Sequence, residues 1–193
     1  MAFDDKKIDP KILTALMGVI EQVLSKMSGI VPSSAPETKE AELVKYEGRM
    51  RVAGMEKFNA PSLISIINYY LTPTDMERRK GVKGALVLYV ELENAGKLFK
   101  ALGFTFPDDE DDVSMMTACG EFCSVLSGNF KKELAGLGYA DLAASAPHNY
   151  KNSVLEGVEF STDQKTKHEF SFFYWKHKSI VVELTLAAIP QKK

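Results

Sequence analysis

Near the start of the chain, apolar residues return at helical spacing: Leu13, Leu16, Met17, Ile20, Leu24 and Met27. Asp9 and Pro10 precede them, and Gly29 follows. Aspartate caps the free N–H groups of a first turn, proline fits that turn, and glycine ends a helix, so the pattern predicts one amphipathic helix. Residues 30–37, with Pro32 and Pro36, read as a loop. From Val44 the period drops to two. Val44, Tyr46, Met50 and Val52 fall on one side and Lys45, Glu47, Arg49 and Arg51 on the other, the mark of a half-exposed strand.

Residues 62–71 and 85–92 are richer in branched and aromatic side chains and predict two more buried strands. Asn94 is placed to cap a short helix carrying Leu98, Phe99 and Leu102 up to Gly103. An acidic stretch, 108–112, leads into a long helix over 113–137. Three further strands are predicted at 154–161, 168–177 and 180–189, with turns at 163–165 and at Lys178-Ser179. The order is helix plus three strands, a connecting helix, then helix plus three strands again. It predicts an α+β fold in which two pseudo-related halves share one sheet and the long helices pack on it. At 193 residues the whole chain is expected to form a single domain.

Charge narrows the choice of partners. With 24 basic and 26 acidic residues the chain lacks the broad positive field of a nucleic-acid binder, so no nucleic acid is expected as a partner. The longest uncharged segment, 58–74, contains Asn59, Pro61 and Asn68 and falls short of the roughly 20 apolar residues of a membrane span. It reads as buried sheet, and no membrane insertion is expected. The opening MAFDDKKIDP has no apolar stretch behind its charges and the end has no lipidation motif, which points to a cytoplasmic location.

Familiar catalytic signatures are missing: there is no G-x-G-x-x-G, no G-x-x-x-x-G-K-[ST], no H-E-x-x-H and no G-x-S-x-G. Cys119 and Cys123 stand four apart on one helical face and read as buried, reduced thiols. His148, His168 and His177 fall in a loop and at strand ends. The acidic run 108–112 lacks the alternating ligands and glycine of a calcium loop, so it reads as a solvated segment favouring the helix start behind it, and no metal site is expected. Arg78, Arg79, Lys80 and Lys83 read as solvating a strand connection.

The long helix is the most informative element. At about 100° per residue, Met115, Cys119, Phe122, Leu126 and Phe130 lie together, continued by Met116, Cys123 and Leu134. Opposite them Thr117, Glu121, Ser124, Gly128 and Lys131 form a polar stripe. Glycine costs roughly 1 kcal/mol against alanine inside a helix, so Gly128 points to a close approach by a partner or by another helix of the same fold.

The run from Ala118 to Lys131, ACGEFCSVLSGNFK, resembles the signature helix of the chemotaxis phosphatase CheX-like family, within the CheC/CheX/FliY group. In that family a small residue precedes a glutamate, an asparagine follows three residues on, and a Gly-Asn pair comes four later. Glu121 and Gly128-Asn129 match, and Ser124 stands in place of the motif asparagine. The order of elements agrees over most of the chain; the motif covers some fourteen residues.

The resemblance implies a CheC/CheX-like fold and a phosphorylated CheY-type response regulator as partner. Glu121 then contacts the regulator's lysine, and the residue at position 124 places the water that attacks the aspartyl phosphate. Glu121 and Ser124 are the catalytic candidates, with Thr117, Gly128, Asn129 and Lys131 as partner-binding positions. No cofactor is expected, since any magnesium belongs to the regulator. The serine hydroxyl ends about one bond short of a carboxamide and lacks its paired donor and acceptor. Response-regulator phosphatase activity therefore rests on a degenerate motif. A non-catalytic module that binds a receiver or flagellar-switch protein is the second reading, and a small-molecule domain the third. In the first helix Glu21 is followed three residues on by Leu24, so a single site is expected. The resemblance further implies a homodimer paired through the sheets, with the strand-rich segment 168–189 as the candidate contact.

Overall fold

A computed structural model describes residues 8–105, 111–161 and 163–192. Helix α1 spans Pro10–Val23 and continues as a π-turn over Leu24–Ser28 before Gly29 stops it in the left-handed region. Asp9 caps it, accepting from the Lys11 N–H. There follow β1 (Glu37–Glu42), β2 (Lys45–Tyr46), β3 (Arg49–Ala53), α2 (Met55–Phe58), β4 (Ser62–Tyr70), α3 (Pro73–Glu77), β5 (Gly84–Glu91) and α4 (Leu92–Ala101). The second half holds α5 (Asp112–Gly136), β6 (Ala143–Ala144), β7 (His148–Lys151), β8 (Ser153–Val158), β9 (Thr166–Tyr174) and β10 (His177–Leu186). Of the acidic run, 108–110 lie outside the described residues. Asp111 caps α5, accepting from the N–H groups of Val113 and Ser114.

The main sheet is antiparallel and runs β1-β9-β10-β5-β4, with β6 and β7 both on the far side of β4. β10 and β5 form its centre. On one flank β9 is followed by β1; on the other, β4 is followed by β7. The N-terminal half contributes β1, β4 and β5, the C-terminal half β7, β9 and β10, and each half sends its first strand to edge the other's. The predicted sharing of one sheet is therefore an exchange of edges. α1 and α5 pack over one face. A separate three-stranded sheet, β2-β3-β8, covers part of the other. β4 shows why its sequence reads as continuously apolar: Leu63, Ile67 and Tyr69 face the helices while Ile64 and Ile66 face the small sheet.

Four expectations need correction. The single strand predicted over 44–52 is a hairpin. Glu47 and Gly48 both take positive φ, the geometry of a tight two-residue turn, and this leaves Val44 and Tyr46 exposed while Met50 and Val52 are buried. The turn placed at Lys178-Ser179 lies instead at Trp175-Lys176, again with two positive φ angles, and the 178–180 region is a register shift within β10. Asn94 lies inside the first turn of α4, donating to Glu91, which holds the cap position. Finally, 168–189 offers no free edge, because β9 and β10 are paired on both sides; the edges belong to β1 and to β6 and β7.

Candidate functional site

The helix face predicted to be polar points outward. Thr117, Glu121, Ser124 and Gly128 are exposed, while Asn129 and Lys131 are half-buried at its margins. The opposite side is buried as predicted, through Met115, Cys119, Phe122, Cys123, Leu126, Phe130 and Leu134, with Met116 half-buried. The buried Tyr69 hydroxyl of β4 donates to Ser127 Oγ at 2.9 Å and fixes the rotation of α5 on the sheet. Lys151 of β7 pairs with Asp112 at 2.7 Å and ties down its start.

The stripe residues differ in how free they are. The Thr117 hydroxyl donates to the Val113 carbonyl and Asn129 Nδ2 to the Val125 carbonyl, both at 2.9 Å, so each is partly committed to its own helix. Glu121 makes no ion pair among the described residues. A Cβ added at Gly128 would meet nothing within 4 Å. Among the described residues no other helix comes within 4 Å of that position, which removes one of the two explanations for a glycine there.

The glycine that the fold requires is Gly120. A Cβ there would lie 2.6 Å from Nδ2 and 2.7 Å from Oδ1 of Asn149 on β7. Asn149 stands opposite Ser65 of β4, and both Asn149 Oδ1 and Ser65 Oγ are buried without a hydrogen-bond partner among the described residues. Each such atom costs about 1–3 kcal/mol of desolvation. The sequence did not mark Asn149: β7 is four residues long with no apolar alternation, and nothing local links it to α5, although Gly120 beside a bulky core pattern was a signal for close approach.

The first helix carries no copy of this arrangement. Glu21 is exposed, but Leu24 is 1% exposed and sits in the core, so the i+3 position faces inward. Burial lifts the Cys119 thiol well above its ordinary value and pushes Cys123 up to about 12, which keeps both protonated. They pack; they are not nucleophiles.

A second polar cluster lies across the sheet. Glu183 is fully buried, accepts from Lys57 and from the Tyr89 hydroxyl at 2.6 Å, and forms an ion pair with Lys167 at 2.6 Å; Lys57 also pairs with Glu169 at 2.6 Å. Burial alone pushes the Glu169 carboxyl up, yet the hydrogen bond and charge of Lys57 outweigh it and hold it below the ordinary value. Every charge here is paired, so the cluster anchors α2 to β9 and β10. Among the described residues no three His, Cys, Asp or Glu side chains gather as metal ligands, and no helix is long and apolar enough to cross a membrane.

No protein-family model and no curated protein matches the chain. Solved structures do. A CheC-like superfamily protein from Shewanella sp. PV-4 aligns with a TM-score of 0.60 at 13% identity, covering 92% of this chain and 97% of the other. The chemotaxis protein CheX from Desulfovibrio desulfuricans aligns with 0.58 at 17%, covering 91% and 99%. A chain of the CheX-CheY-BeF3-Mg complex from Borrelia burgdorferi aligns with 0.51 at 16%, covering 94% and 100%. The fold of this chain is the CheC/CheX fold.

Proposed function

We propose that the chain is a chemotaxis signalling protein that docks on a phosphorylated CheY-type receiver through the α5 face around Glu121 and promotes hydrolysis of the aspartyl phosphate. The observation that carries the reading is the free carboxylate of Glu121, with Ser124 exposed one turn on and the bare backbone of Gly128 beyond, on a surface that no described part of the fold covers. A receiver complex exists for a protein of this fold, the Borrelia CheX-CheY assembly. The Mg2+ is the receiver's. The reading places the protein in the cytoplasm as one domain. Two copies joining through their sheets would use the β1 or the β6–β7 edge.

A non-catalytic receiver-binding module is the second reading, favoured by one observation: Ser124 lacks the carboxamide. A single experiment separates the two. Purified protein is added to a panel of phosphorylated receiver domains while binding and phosphate release are followed together. Faster phosphate release supports the first reading, binding without it the second, and neither one removes both.

A further inference from the structure

The sheet face opposite the helices changes character along its width. Under the small sheet it is apolar, with Ile64, Val87 and Val181 packed against Met50, Val52 and Val154. Toward β1 it becomes charged, with Glu183, Glu169, Lys167 and Lys39. There β3 and α2 form the opposite wall of a cleft of about 250 Å3, which Arg51, Glu56, Lys57 and Lys178 also line. That is below the roughly 300–1,000 Å3 of a pocket for a drug-sized ligand, so the space suits a small ion or a group on a short stem.

At the floor the charges balance, Lys57 and Lys167 against Glu169 and Glu183, the two acids being 5% and 0% exposed. At the rim they do not. Arg51 is matched by Glu56. Lys39 comes only within 3.6 Å of Glu169, which Lys57 already holds at 2.6 Å, and Lys178 has no ion pair among the described residues. Five cations face Glu56, Glu169 and Glu183, so the cleft carries two positive charges in excess on a chain whose net charge is -2. Low-dielectric walls focus such a field and draw small anions in. Donors are also free. An ammonium has three N–H groups; Lys57 uses two, on Glu169 and Glu183, and Lys167 pairs with Glu183 alone among the described residues. Burial lowers the Lys57 value, yet Glu183 and Glu169 outweigh it and keep the ammonium charged. A buried ion network is a weak source of stability; what this one does is hold two cations at fixed points beneath an open cleft.

We infer that the cleft binds a phosphate group, as the free ion or as the head of a small monoester, with Lys57 and Lys167 donating from the floor and Lys39 and Lys178 from the rim. Two charges in excess match a group that carries about −1.5 to −2 at pH 7. Donors arriving from floor and rim suit a tetrahedral oxyanion, and lysine binds phosphate as a point charge, whereas a planar carboxylate is better met by an arginine fork and leaves one charge unmatched. The site lies across the sheet from α5, so it stands or falls apart from the receiver-docking reading.

The test titrates the full chain with inorganic phosphate and, separately, with glycerol phosphate, sodium acetate and sodium chloride at equal ionic strength, following backbone amide shifts by NMR. Both phosphate compounds are expected to give saturable shifts around positions 39, 57, 167 and 178, with acetate at least about 10-fold weaker and chloride giving none. Lys39, 65% exposed, and Lys178, half-buried at the rim, are outside the core, so amides away from the cleft keep their positions when either is replaced. Lys39→Gln and Lys178→Gln are each expected to raise Kd by about 5-fold or more, and Lys178→Glu to abolish saturation. Lys26→Gln, in the π-turn on the helix side of the sheet, leaves Kd unchanged. Tighter saturation by glycerol phosphate assigns the site to a monoester, and tighter saturation by inorganic phosphate to the free ion. Absence of saturation by either, equal saturation by acetate or chloride, or a Kd that Lys178→Glu leaves at the wild-type value overturns the assignment.

Discussion

In the C-terminal half, α5 lies close on its sheet edge because Gly120 has no side chain and Asn149 of β7 occupies that space. In the N-terminal half, Gly18 of α1 has nothing within 4 Å, and a cleft of about 480 Å3 stays open between α1 and the β1–β9 edge, lined by Leu13, Met17, Lys39 and Phe170 among others. The two halves share an architecture of one long helix and an exchanged edge strand. They differ in where the third residue after a glutamate points: Ser124 reaches solvent and Leu24 enters the core. Repeating a fold unit thus repeats the scaffold without repeating the site, because the same Glu-x-x-X spacing, set at a different rotation on the helix, puts its last residue in solvent on α5 and in the core on α1.

The strongest way to break this comparison is to write the same motif into both helices. Ser124→Asn places a carboxamide beside Glu121 on a solvent face and is expected to raise aspartyl-phosphate hydrolysis by roughly 10–10³-fold, with stability moving less than about 0.5 kcal/mol. Leu24→Asn makes the corresponding sequence in α1 but buries an amide and removes a core side chain. It is expected to give no activity and to cost about 3–5 kcal/mol, read by denaturant unfolding. Equal gains from the two would mean that the faces are equivalent.

Charge gives the next test. Glu121→Ala is expected to weaken receiver binding about 5–30-fold, as for a contact desolvated near an interface centre, whereas Glu21→Ala leaves Kd unchanged. An exposed ion pair outside an interface contributes only about 0–1 kcal/mol. If both substitutions act alike in a titration, the docking surface is shared between the helices and the assignment to α5 alone fails.

The glycines separate the halves by packing. Gly18→Ala and Gly128→Ala meet open space and are expected to stabilise the fold by up to about 1 kcal/mol through helix propensity. Gly128→Ala should weaken receiver binding at the same time. Gly120→Ala must displace Asn149, so its propensity gain is set against an overpacking cost of about 1–3 kcal/mol. Thermal unfolding of the three variants, run side by side, checks the order.

What the sequence revealed follows from periodicity. Elements with one strongly apolar face, α1, α4 and α5, and the strands buried on both faces, β4, β5, β9 and β10, could be read directly. The edge strands could not. β1, ETKEAE, is almost wholly exposed and is held by backbone pairing to β9, and β7 by pairing to β4, so neither carries a side-chain signal. The same blindness hid the packing beneath the candidate face. Glu121, Ser124 and Gly128 lie on one helix and share a local repeat, whereas Asn149 reaches α5 only through the strand exchange, which no local pattern encodes.

The smallest effect concerns the helix starts, where the halves agree in chemistry but differ in wiring. Asp9 and Asp111 both lie below the ordinary carboxylate value of 3.8. For Asp9 the main cause is the Tyr139 hydroxyl, which reaches across from the second half, followed by the Lys11 N–H; for Asp111 it is the Ser114 hydroxyl within its own cap, followed by the Val113 N–H. Because folding lowers both values, the unfolded chain takes up protons first as pH falls. The stabilisation from each cap is complete above 3.8 and is lost as pH drops through the folded value below it, so stability is expected to be insensitive to these groups between pH 5 and 7. Tyr139→Phe should raise the Asp9 value toward 3.8 and leave Asp111 in place, whereas Ser114→Ala should move Asp111 alone. Carboxyl carbon shifts followed by NMR from pH 5 to pH 2 read both groups in one titration. Movement of Asp111 in Tyr139→Phe would mean that the two caps are coupled through the helix pair, and the contrast between a long-range and a local cap would then disappear.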